Sequence, residues 1–303
     1  MWYNRCIMKK TIIICIVIVL VVLGLYYFIQ SSKSVNLISN NEVATTTVQN
    51  TATTTVNKLE TVIGKSAEGR DITAYHYGEG ETELLFIGGI HGGYEWNTAL
   101  VAFKTMDYLK ANPEIIPSNV KVTVIPVLNP DGLNKVVGTS SRFTTADVPS
   151  TEETVVGRFN GNNVDLNRNF DCDWQAEGKW QSKVVSGGTA AFSEPESQAI
   201  KNYVQTKKPE SVVVWYSAAG GVFSSSCHNG VLSETKTLTN IFAKASGYKA
   251  FEEFNFYEIT GDMVNWLAKE KIPAFSILLT NHESTEWTKN RNGIEALLKY
   301  YAE

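Results

Sequence analysis

Along residues 58–303, short apolar runs alternate with segments in which apolar residues recur every three or four positions. Short apolar runs predict buried strands at residues 83–87, 120–127, 212–216 and 274–279. Apolar residues recurring every three or four positions predict helices at residues 96–109, 235–245, 262–269 and 287–301, and a capping box at Ser193 opens another that ends near Lys208. This rhythm predicts an α/β domain with a largely parallel sheet, helices on both faces and ligands at the carboxyl ends of the strands.

Residues 11–30 form a different kind of segment, because they contain no charged side chain and are mostly Ile, Val, Leu and aromatic residues. Twenty such residues are long enough to cross a hydrocarbon core of roughly 30 Å. Arg5, Lys9 and Lys10 precede the segment, and no small-residue cleavage pattern follows it, so we expect an uncleaved transmembrane signal anchor with residues 1–10 in the cytoplasm. A cleaved signal peptide is the alternative.

Residues 31–57 contain no aromatic residue and repeat an ATTTV motif, which predicts a disordered stalk rich in Ser, Thr and Asn. Residues 58–303 are long enough for one large core. Four cations and one acid give residues 1–42 a net charge of +3. Because the whole chain has a net charge of −4, the remainder of the chain carries a net charge of −7. This acidic outer domain excludes nucleic acid as the expected partner.

The cysteines fit an extracytoplasmic domain. Cys6 and Cys15 belong to the anchor region, which leaves Cys172 and Cys227 as the only pair in the domain. Disulfides persist outside the cytoplasm, so a bridge is one interpretation and two separate buried thiols are the other. The sequence leaves both open.

The stretch VDLNRNFD, residues 164–171, places Asn167 beside Arg168 at what we interpret as the end of a buried strand. A guanidinium fork and an amide NH2 group together offer a carboxylate several donors. The pair therefore predicts a reader of terminal carboxylates. The alternative is a core arginine paired with Asp165 or Asp171.

A second motif, FIGGIHGGYEWNT at residues 86–98, brings His91 and Glu95 close together after a predicted strand. An imidazole and a carboxylate at short spacing are two of the three protein ligands of a catalytic zinc. The alternative is a loop histidine and an acid in the first turn of a helix, where the helix dipole favours it.

Together these motifs resemble the zinc metallocarboxypeptidase family of the carboxypeptidase A type, from about Ile63 to the C-terminus. Five segments carry the resemblance in the family's order: GKSAEGRDI, IHGGYE, PVLNPDG, GRFNGNNVDLNRNF and FSEPES. The resemblance implies a mixed eight-stranded sheet and a zinc cofactor. It also implies that Arg158 steadies an oxyanion, that Asn167 and Arg168 bind substrate, and that Tyr257 folds over it.

The resemblance also exposes two substitutions. In the family the second ligand follows the first by three positions, whereas Glu95 follows His91 by four; both offsets return to one face of a helical turn, so we keep both as ligands. Tyr216 stands where the family has a third, histidine ligand, and a neutral phenol is a poor ligand. His228 and His282 are possible replacements, each with the alternative of an exposed loop histidine. His76 matches no family position.

Leu278 stands where the family has the glutamate that acts as general base. Glu283 and Glu286 follow in the next loop. We prefer Glu286, because Trp287 beside it would shield its carboxylate and raise its pKa. The alternative is that both acids are solvated and cap the following helix.

These inferences predict a membrane-anchored, zinc-dependent metallocarboxypeptidase whose extracytoplasmic domain removes C-terminal residues from peptides or cell-wall stem peptides. Zinc would be held by His91 and Glu95, with Arg158 and Glu286 in catalysis. A first alternative is a degenerate relative that binds peptide carboxylates without cutting, since Tyr216 and Leu278 occupy two demanding positions. A second is a hydrolase of small acyl-amino acids.

Overall fold

The computed structural model describes residues 59–302. The predicted cytoplasmic segment, membrane anchor and stalk lie outside these residues. Within residues 59–302, no helix has the length and apolar character needed to cross a bilayer.

An eight-stranded sheet organises the described residues, in the order β1-β2-β4-β3-β7-β10-β8-β9. The central pairs β4/β3, β3/β7 and β7/β10 are parallel, as is β8/β9, while β1/β2, β2/β4 and β10/β8 are antiparallel. The predicted mixed, largely parallel sheet is therefore confirmed. Its strands are β1 (Glu60–Lys65), β2 (Asp71–Tyr77), β3 (Thr82–Ile87), β4 (Val120–Ile125), β7 (Ser211–Ser217), β8 (Gly221–Ser224), β9 (Lys249–Phe251) and β10 (Ala274–Leu279); a separate hairpin comprises β5 (Glu177–Trp180) and β6 (Lys183–Ser186).

Helices cover both faces of the sheet because the central strands are apolar on both sides. In β7, Val213 and Trp215 join one hydrophobic core, and Val212 and Val214 join the other. The helices Trp96–Ala111, Ser233–Ser246 and Trp287–Tyr301 supply the first core, and the helices Pro195–Lys207 and Met263–Lys269 supply the second. The helices are α1 (Trp96–Ala111), α2 (Pro130–Val137), α3 (Thr151–Thr154), α4 (Pro195–Lys207), α5 (Ser233–Ser246), α6 (Met263–Lys269) and α7 (Trp287–Tyr301).

The predicted capping box at Ser193 is wrong. The N-cap of α4 is Glu194, without a side-chain cap, and Pro195 occupies the first helical position. The Ser193 hydroxyl donates instead to Glu194 Oε1, at 2.8 Å. Pro195 suits this start because its missing N–H would have had no partner in the helix.

Residues 164–171 are not the end of a strand. Residues Leu166–Arg168 form a 3-10 turn, and the Asp165 side chain accepts a hydrogen bond from the Asn167 N–H at 3.1 Å. Asp side chains favour such local turns over extended backbone. The apolar spacing of Val164, Leu166 and Phe170 imitated a buried strand, but the turn still places Asn167 and Arg168 in succession.

Cys172 and Cys227 form a disulfide bridge with a Cα–Cα distance of 6.2 Å. The interpretation as two separate thiols is therefore wrong. The sequence could not decide this question, because the two cysteines are 55 residues apart and only the fold brings them together.

Candidate active site

The candidate site lies where the parallel strands end. β3, β7 and β10 run in the same direction, so the loops that follow Ile87, Ser217 and Leu279 emerge at one edge of the sheet. A cavity of about 790 Å³ opens there. Its wall includes the predicted site residues His91, Glu95, Arg158, Asn167, Arg168 and Tyr257.

His91 and Glu95 come from the glycine-rich loop after β3. Gly92 has a φ of +42°, and a Cβ there would lie 2.7 Å from the backbone of Gly132 and Gly157, so the close packing of this loop requires glycine. His91 Nδ1 lies 2.9 Å from Glu95 Oε1. Nevertheless, within residues 59–302 neither His91 Nδ1 nor Glu95 Oε2 has a hydrogen-bond partner, although both atoms are buried. Two buried polar atoms without hydrogen-bond partners on neighbouring side chains are compatible with a metal held by both residues.

Asp165 orients this pair from behind. Its fully buried carboxylate accepts hydrogen bonds from Arg158 Nε at 2.9 Å and lies 3.2 Å from His91 Nε2. Burial alone would raise the pKa of Asp165, but the Arg158 guanidinium and the His91 imidazole hold that pKa well below its usual range. A carboxylate behind a ligating histidine fixes its ring orientation. Pairing of Asp165 with Arg168 was the alternative left open by the sequence, whereas in the structure Asp165 pairs with Arg158.

Arg158 is held firmly at the cavity wall. Its Nη2 lies 2.8 Å from Asp165 Oδ2, and its Nη1 lies 3.8 Å from Glu95 Oε1. The guanidinium stacks over Trp180, 4.5 Å from the ring centroid. Arg158 therefore contributes a fixed positive charge beside Glu95, as an oxyanion partner requires, although part of that charge is already compensated by Asp165.

Asn167 and Arg168 are buried at the cavity wall. Asn167 Oδ1 accepts hydrogen bonds from the Tyr216 hydroxyl and from the Met263 N–H, each at 3.1 Å. Arg168 donates from Nε and Nη2 to the Lys179 carbonyl, at 2.9 and 2.7 Å. No acid pairs directly with Arg168 in the described chain, so the alternative of a pair with Asp165 or Asp171 is wrong. Lys269, rather than Arg168, binds Asp171.

Tyr216 faces the cavity as a neutral phenol. Burial, together with the nearby charge of Asp262, raises the pKa of Tyr216 well above its ordinary value of 10. The Tyr216 hydroxyl donates a hydrogen bond to Asn167 Oδ1. Tyr216 therefore serves as a neutral hydrogen-bond donor in this arrangement. Leu278 also lines the cavity and offers no proton acceptor.

Of the two proposed replacement ligands, only His282 reaches the cavity. His282 packs on Tyr94, with ring centroids 4.6 Å apart, and its Nδ1 lies 3.1 Å from Ser217 Oγ. Burial lowers the pKa of His282, so its imidazole is neutral at pH 7. His228 instead has an exposed side chain paired with Asp173 at 2.9 Å. His76 lies in β2 and contacts Thr123.

Glu286 does not reach the cavity, which corrects its assignment as general base. Its carboxylate accepts hydrogen bonds from the Thr280 N–H, the Tyr248 hydroxyl and Lys289, each at 2.7 Å. Burial alone would raise the pKa of Glu286, but these hydrogen bonds lower it below its usual value, the opposite of the expected shift. Glu283 is exposed and does not line the cavity.

Tyr257 lines the cavity beside Phe254, with ring centroids 5.0 Å apart. Burial raises its pKa, so it carries a neutral hydroxyl. Asp262, which sequence reasoning missed, lies on the same wall and caps α6 by accepting the Asn265 N–H at 3.0 Å. Burial raises the pKa of Asp262 to about 6. Its only sequence signal was that of a helix cap, which does not distinguish a cavity residue.

The described residues do not fit a catalytic zinc held as in the resemblance. Such a site needs three protein ligands with an open fourth position. His91 and Glu95 fit, but within residues 59–302 the one cluster of three or more His, Cys, Asp or Glu side chains with ligand atoms within 4.8 Å is Cys172, Cys227 and His228. Two of those residues are bridged, and the cluster lies outside the cavity wall.

Comparison with known proteins identifies the family. A sequence profile described as zinc carboxypeptidase matches residues 45–297. The chain belongs to the zinc carboxypeptidase family. This confirms the resemblance that the five sequence segments indicate.

Among curated zinc carboxypeptidase relatives, carboxypeptidase Z of Gallus gallus is 28% identical over 186 residues, covering 57% of this chain and 27% of the relative. Carboxypeptidase N catalytic chain of Rattus norvegicus is 27% identical over 185 residues, covering 56% and 37%. Gamma-D-glutamyl-L-diamino acid endopeptidase 1 of Lysinibacillus sphaericus is 24% identical over 250 residues, covering 72% and 60%. The chain thus spans less than two thirds of the length of each of these relatives.

Two solved structures share the fold of this family member. Murein-tripeptide amidase from Escherichia coli O157 has a TM-score of 0.56 at 19% identity and covers 79% of this chain and 91% of its own. Bovine thrombin-activatable fibrinolysis inhibitor, in complex with tick carboxypeptidase inhibitor, has a TM-score of 0.62 at 16% identity and covers 80% and 88%. These likenesses support the α/β carboxypeptidase fold alone.

Proposed function

We propose that this zinc carboxypeptidase family member binds peptides by their free C-terminal carboxylate and holds them without cutting. The hydrogen bond from the Tyr216 hydroxyl to Asn167 Oδ1, 3.1 Å long, carries the proposal. Tyr216 stands at the position expected for the third metal ligand, and there it orients the side-chain amide of Asn167 instead. Because the Met263 N–H binds the same oxygen, the NH2 group of Asn167 is the end left for a ligand.

Arg168 supplies the second half of this carboxylate clamp. A guanidinium has five N–H donors. Three are used, two on the Lys179 carbonyl and one from Nη1 to the Asn167 carbonyl. The two that remain are on Nη1 and Nη2, and a pair of parallel N–H groups suits a carboxylate.

The catalytic half of the site supports hydrolysis less well. The third ligand position holds a neutral phenol, and the base position holds a leucine that lines the cavity. Glu286, the acid preferred in its place, is engaged elsewhere. Activation of water needs a group that accepts a proton within hydrogen-bond reach of it. Binding of a carboxylate needs neither a third metal ligand nor a general base.

The proposed ligands are peptides or peptidoglycan stem peptides. The cavity of about 790 Å³ is within the usual range for binding sites of small ligands. Murein-tripeptide amidase and a gamma-D-glutamyl-L-diamino acid endopeptidase are among the similar proteins, and their names concern cell-wall peptides. We further propose that residues 11–30 anchor the protein in the membrane with the binding domain outside the cytoplasm.

A second candidate function is zinc-dependent removal of C-terminal residues. One observation favours it: His91 Nδ1 and Glu95 Oε2 are buried without hydrogen-bond partners in the described chain. Zinc bound there would polarise a carbonyl or a water molecule. Asn167 and Arg168 would position the substrate for either function, and hydrolysis of small acyl-amino acids would use the same groups.

Binding of two matched fluorescent peptides, one with a free C-terminus and one with a C-terminal amide, tests the proposal. We expect the full-length protein to prefer the free acid and Arg168→Ala to weaken that binding about 10- to 100-fold, because a charged hydrogen bond is lost. Arg142→Ala is the control, since Arg142 pairs with Asp107 on the exposed surface. Equal affinity for acid and amide would contradict the clamp.

The same samples distinguish the two candidate functions. Chromatography of the peptides after prolonged incubation, with and without a chelator, reports cleavage, and elemental analysis reports bound zinc. Binding without cleavage supports the proposed function. Chelator-sensitive release of the last residue, with about one zinc per chain, would instead establish the peptidase.

A further inference from the structure

A second cluster of ligand-type side chains lies outside the cavity wall, around the Cys172–Cys227 disulfide. The residues that directly follow the two cysteines are Asp173 and His228. His228 Nε2 lies 2.9 Å from Asp173 Oδ1, and Asp173 Oδ2 lies 3.8 Å from Cys172 Sγ. Within residues 59–302, this is where two sulfurs and an imidazole nitrogen come within 4.8 Å of one another.

The backbone holds this cluster in an uncommon form. Asp173 has a φ of +54° and His228 a φ of +59°. Residues other than glycine rarely adopt the left-handed region, and such positions concentrate at functional sites. The two side chains thus meet beside the sulfurs although each residue carries a conformational cost.

We propose that reduction of the Cys172–Cys227 disulfide creates a zinc site whose ligands are the two thiolates, the His228 imidazole and the Asp173 carboxylate. Two sulfurs, one nitrogen and one oxygen form a tetrahedral set of the kind zinc accepts. Imidazole and carboxylate atoms on one tetrahedral zinc lie roughly 3.3 Å apart, given bonds of about 2.0–2.1 Å. The observed 2.9 Å separation is close to that spacing.

The disulfide and the metal exclude each other, because thiolates rather than disulfide sulfurs ligate zinc. A dithiol reductant breaks the S–S bond by giving two electrons and two protons, which form two cysteine thiols, while the reductant closes to its own disulfide. Zinc then displaces both thiol protons to solvent as two Zn–S bonds form. The disulfide therefore determines whether the site binds metal.

This site adjoins the cavity without forming part of the carboxylate clamp. The Cys172 carbonyl accepts a hydrogen bond from the Gly261 N–H at 2.7 Å, and Gly261 precedes Asp262 on the cavity wall. Ser226, which precedes Cys227, also lines the cavity. The metal site is independent of the proposed function, and its test does not require peptide binding.

Cobalt(II), added without oxygen to full-length protein carrying Glu95→Gln, is the probe; this background removes one of the two candidate ligands in the cavity. Protein is compared as isolated and after reduction with a phosphine, which becomes a phosphine oxide with oxygen from water and is removed by desalting. We expect a thiolate-to-cobalt charge-transfer band and about one cobalt per chain after reduction, and neither before it. Zinc should then displace cobalt and abolish the band.

Variants assign the ligands. The double variant Cys172→Ser, Cys227→Ser should abolish the band, and His228→Ala should weaken cobalt binding at least about 10-fold, since loss of even an outer-shell partner of a ligand has that effect. Glu252→Ala is the control for Asp173→Ala, because Glu252 is an exposed acid in a surface ion pair. Of this pair of variants, only Asp173→Ala should weaken cobalt binding.

Three results would overturn the proposal: no band after reduction, a band that survives the double variant Cys172→Ser, Cys227→Ser, or equal affinity in urea-unfolded reduced protein. The last would show that the free cysteines of the chain bind metal without the fold. Circular dichroism of the reduced protein and of each variant identifies the folded samples to which the comparison applies.

Discussion

A phenol in place of an imidazole changes what position 216 contributes to its neighbours. The Tyr216 hydroxyl donates to Asn167 and is kept neutral by burial. A neutral imidazole at that position would present a nitrogen lone pair to the space beside His91 and Glu95. Position 278, in contrast, needs only a carboxylate in place of an isobutyl group to regain a proton acceptor.

The double variant Tyr216→His, Leu278→Glu should therefore bind about one zinc per chain and hydrolyse peptides with a free C-terminus. The reason is that three protein ligands and a base would then surround the cavity. Elemental analysis and peptide chromatography measure the two effects. Tyr216→Phe, Leu278→Gln is the matched control, because it alters both positions without adding a ligand or a base. Zinc content no higher in the histidine variant than in this control would count against the account of position 216.

Asp262 gives a prediction for the pH dependence of stability. Burial raises its pKa from 3.8 to about 6, so folding favours the protonated acid. The resulting stabilisation is complete below pH 3.8 and is lost as the pH rises through about 6, a change of about 3 kcal/mol. Asp262→Asn keeps the helix cap and removes the titration.

Relative to the unmodified protein, Asp262→Asn should thus be more stable at pH 8 than at pH 4. Its free energy of unfolding, minus that of the unmodified protein, should be larger at pH 8. Urea unfolding at the two pH values measures the difference, and Asp107→Asn, at an exposed acid, serves as the control. A difference that does not change with pH for Asp262→Asn would refute the assignment.

At the scale of elements, several of the family segments serve the fold more than the cavity. Asp131, at the start of α2, accepts hydrogen bonds from Ser66 Oγ at 2.6 Å, the Glu68 N–H at 3.0 Å and Arg70 Nη1 at 2.7 Å. The loop after β1 is thereby tied to α2. Glu196, in α4, binds the same loop through the Ala67 N–H at 2.9 Å. None of these residues lines the cavity described above.

Asp131→Asn should therefore destabilise the domain by about 1–3 kcal/mol, because the amide keeps only one of the two acceptor oxygens shared by Ser66, Glu68 and Arg70. Urea unfolding measures this loss, and Asp107→Asn should change stability by less than about 0.5 kcal/mol. The folded fraction should keep its affinity for the free-acid peptide. A stability loss as small as that of the control would show that this network is dispensable.

The sequence predicted elements best where one period persisted without interruption. The strand Ala274–Leu279 and the helix Trp287–Tyr301 have the predicted bounds, because each carries an unbroken apolar pattern. The segment at residues 164–171 failed because a local hydrogen bond of Asp165 outweighed an apolar alternation. Periodicity records burial, and it does not record side-chain hydrogen bonds to the backbone.

The candidate site shows a similar limit. His91 and Glu95 lie on the cavity because they follow the strand Thr82–Ile87, which the sequence predicted, whereas Asn167 reaches the cavity from a turn that the sequence did not predict. Glu286 does not reach the cavity, since a loop of seven residues, 280–286, can turn its last side chain either way, and here Thr280 and Tyr248 hold it outside. Sequence proximity to a site therefore does not establish that a side chain enters it.

At the scale of the whole molecule, the proposed role depends on where the domain is displayed. The apolar residues 11–30 would span about 30 Å as a helix, at 1.5 Å per residue. The positive charges of Arg5, Lys9 and Lys10 favour a cytoplasmic N-terminus, which would place residues 59–302 on the opposite side. Only an outward-facing domain would meet stem peptides of the cell wall.

We predict that the full-length protein stays in the membrane pellet after extraction with alkaline carbonate, and that deletion of residues 11–30 moves it to the supernatant. The physical reason is the loss of an apolar helix long enough to span the bilayer. Deletion of residues 38–57 is the control, because it shortens the polar segment and keeps the apolar one. Protease added to intact cells should digest residues 59–302 of the variant that lacks residues 38–57, and it should leave a cytoplasmic marker protein intact. Carbonate extraction of the unmodified protein would contradict the anchor and leave the carboxylate clamp to be judged by peptide binding.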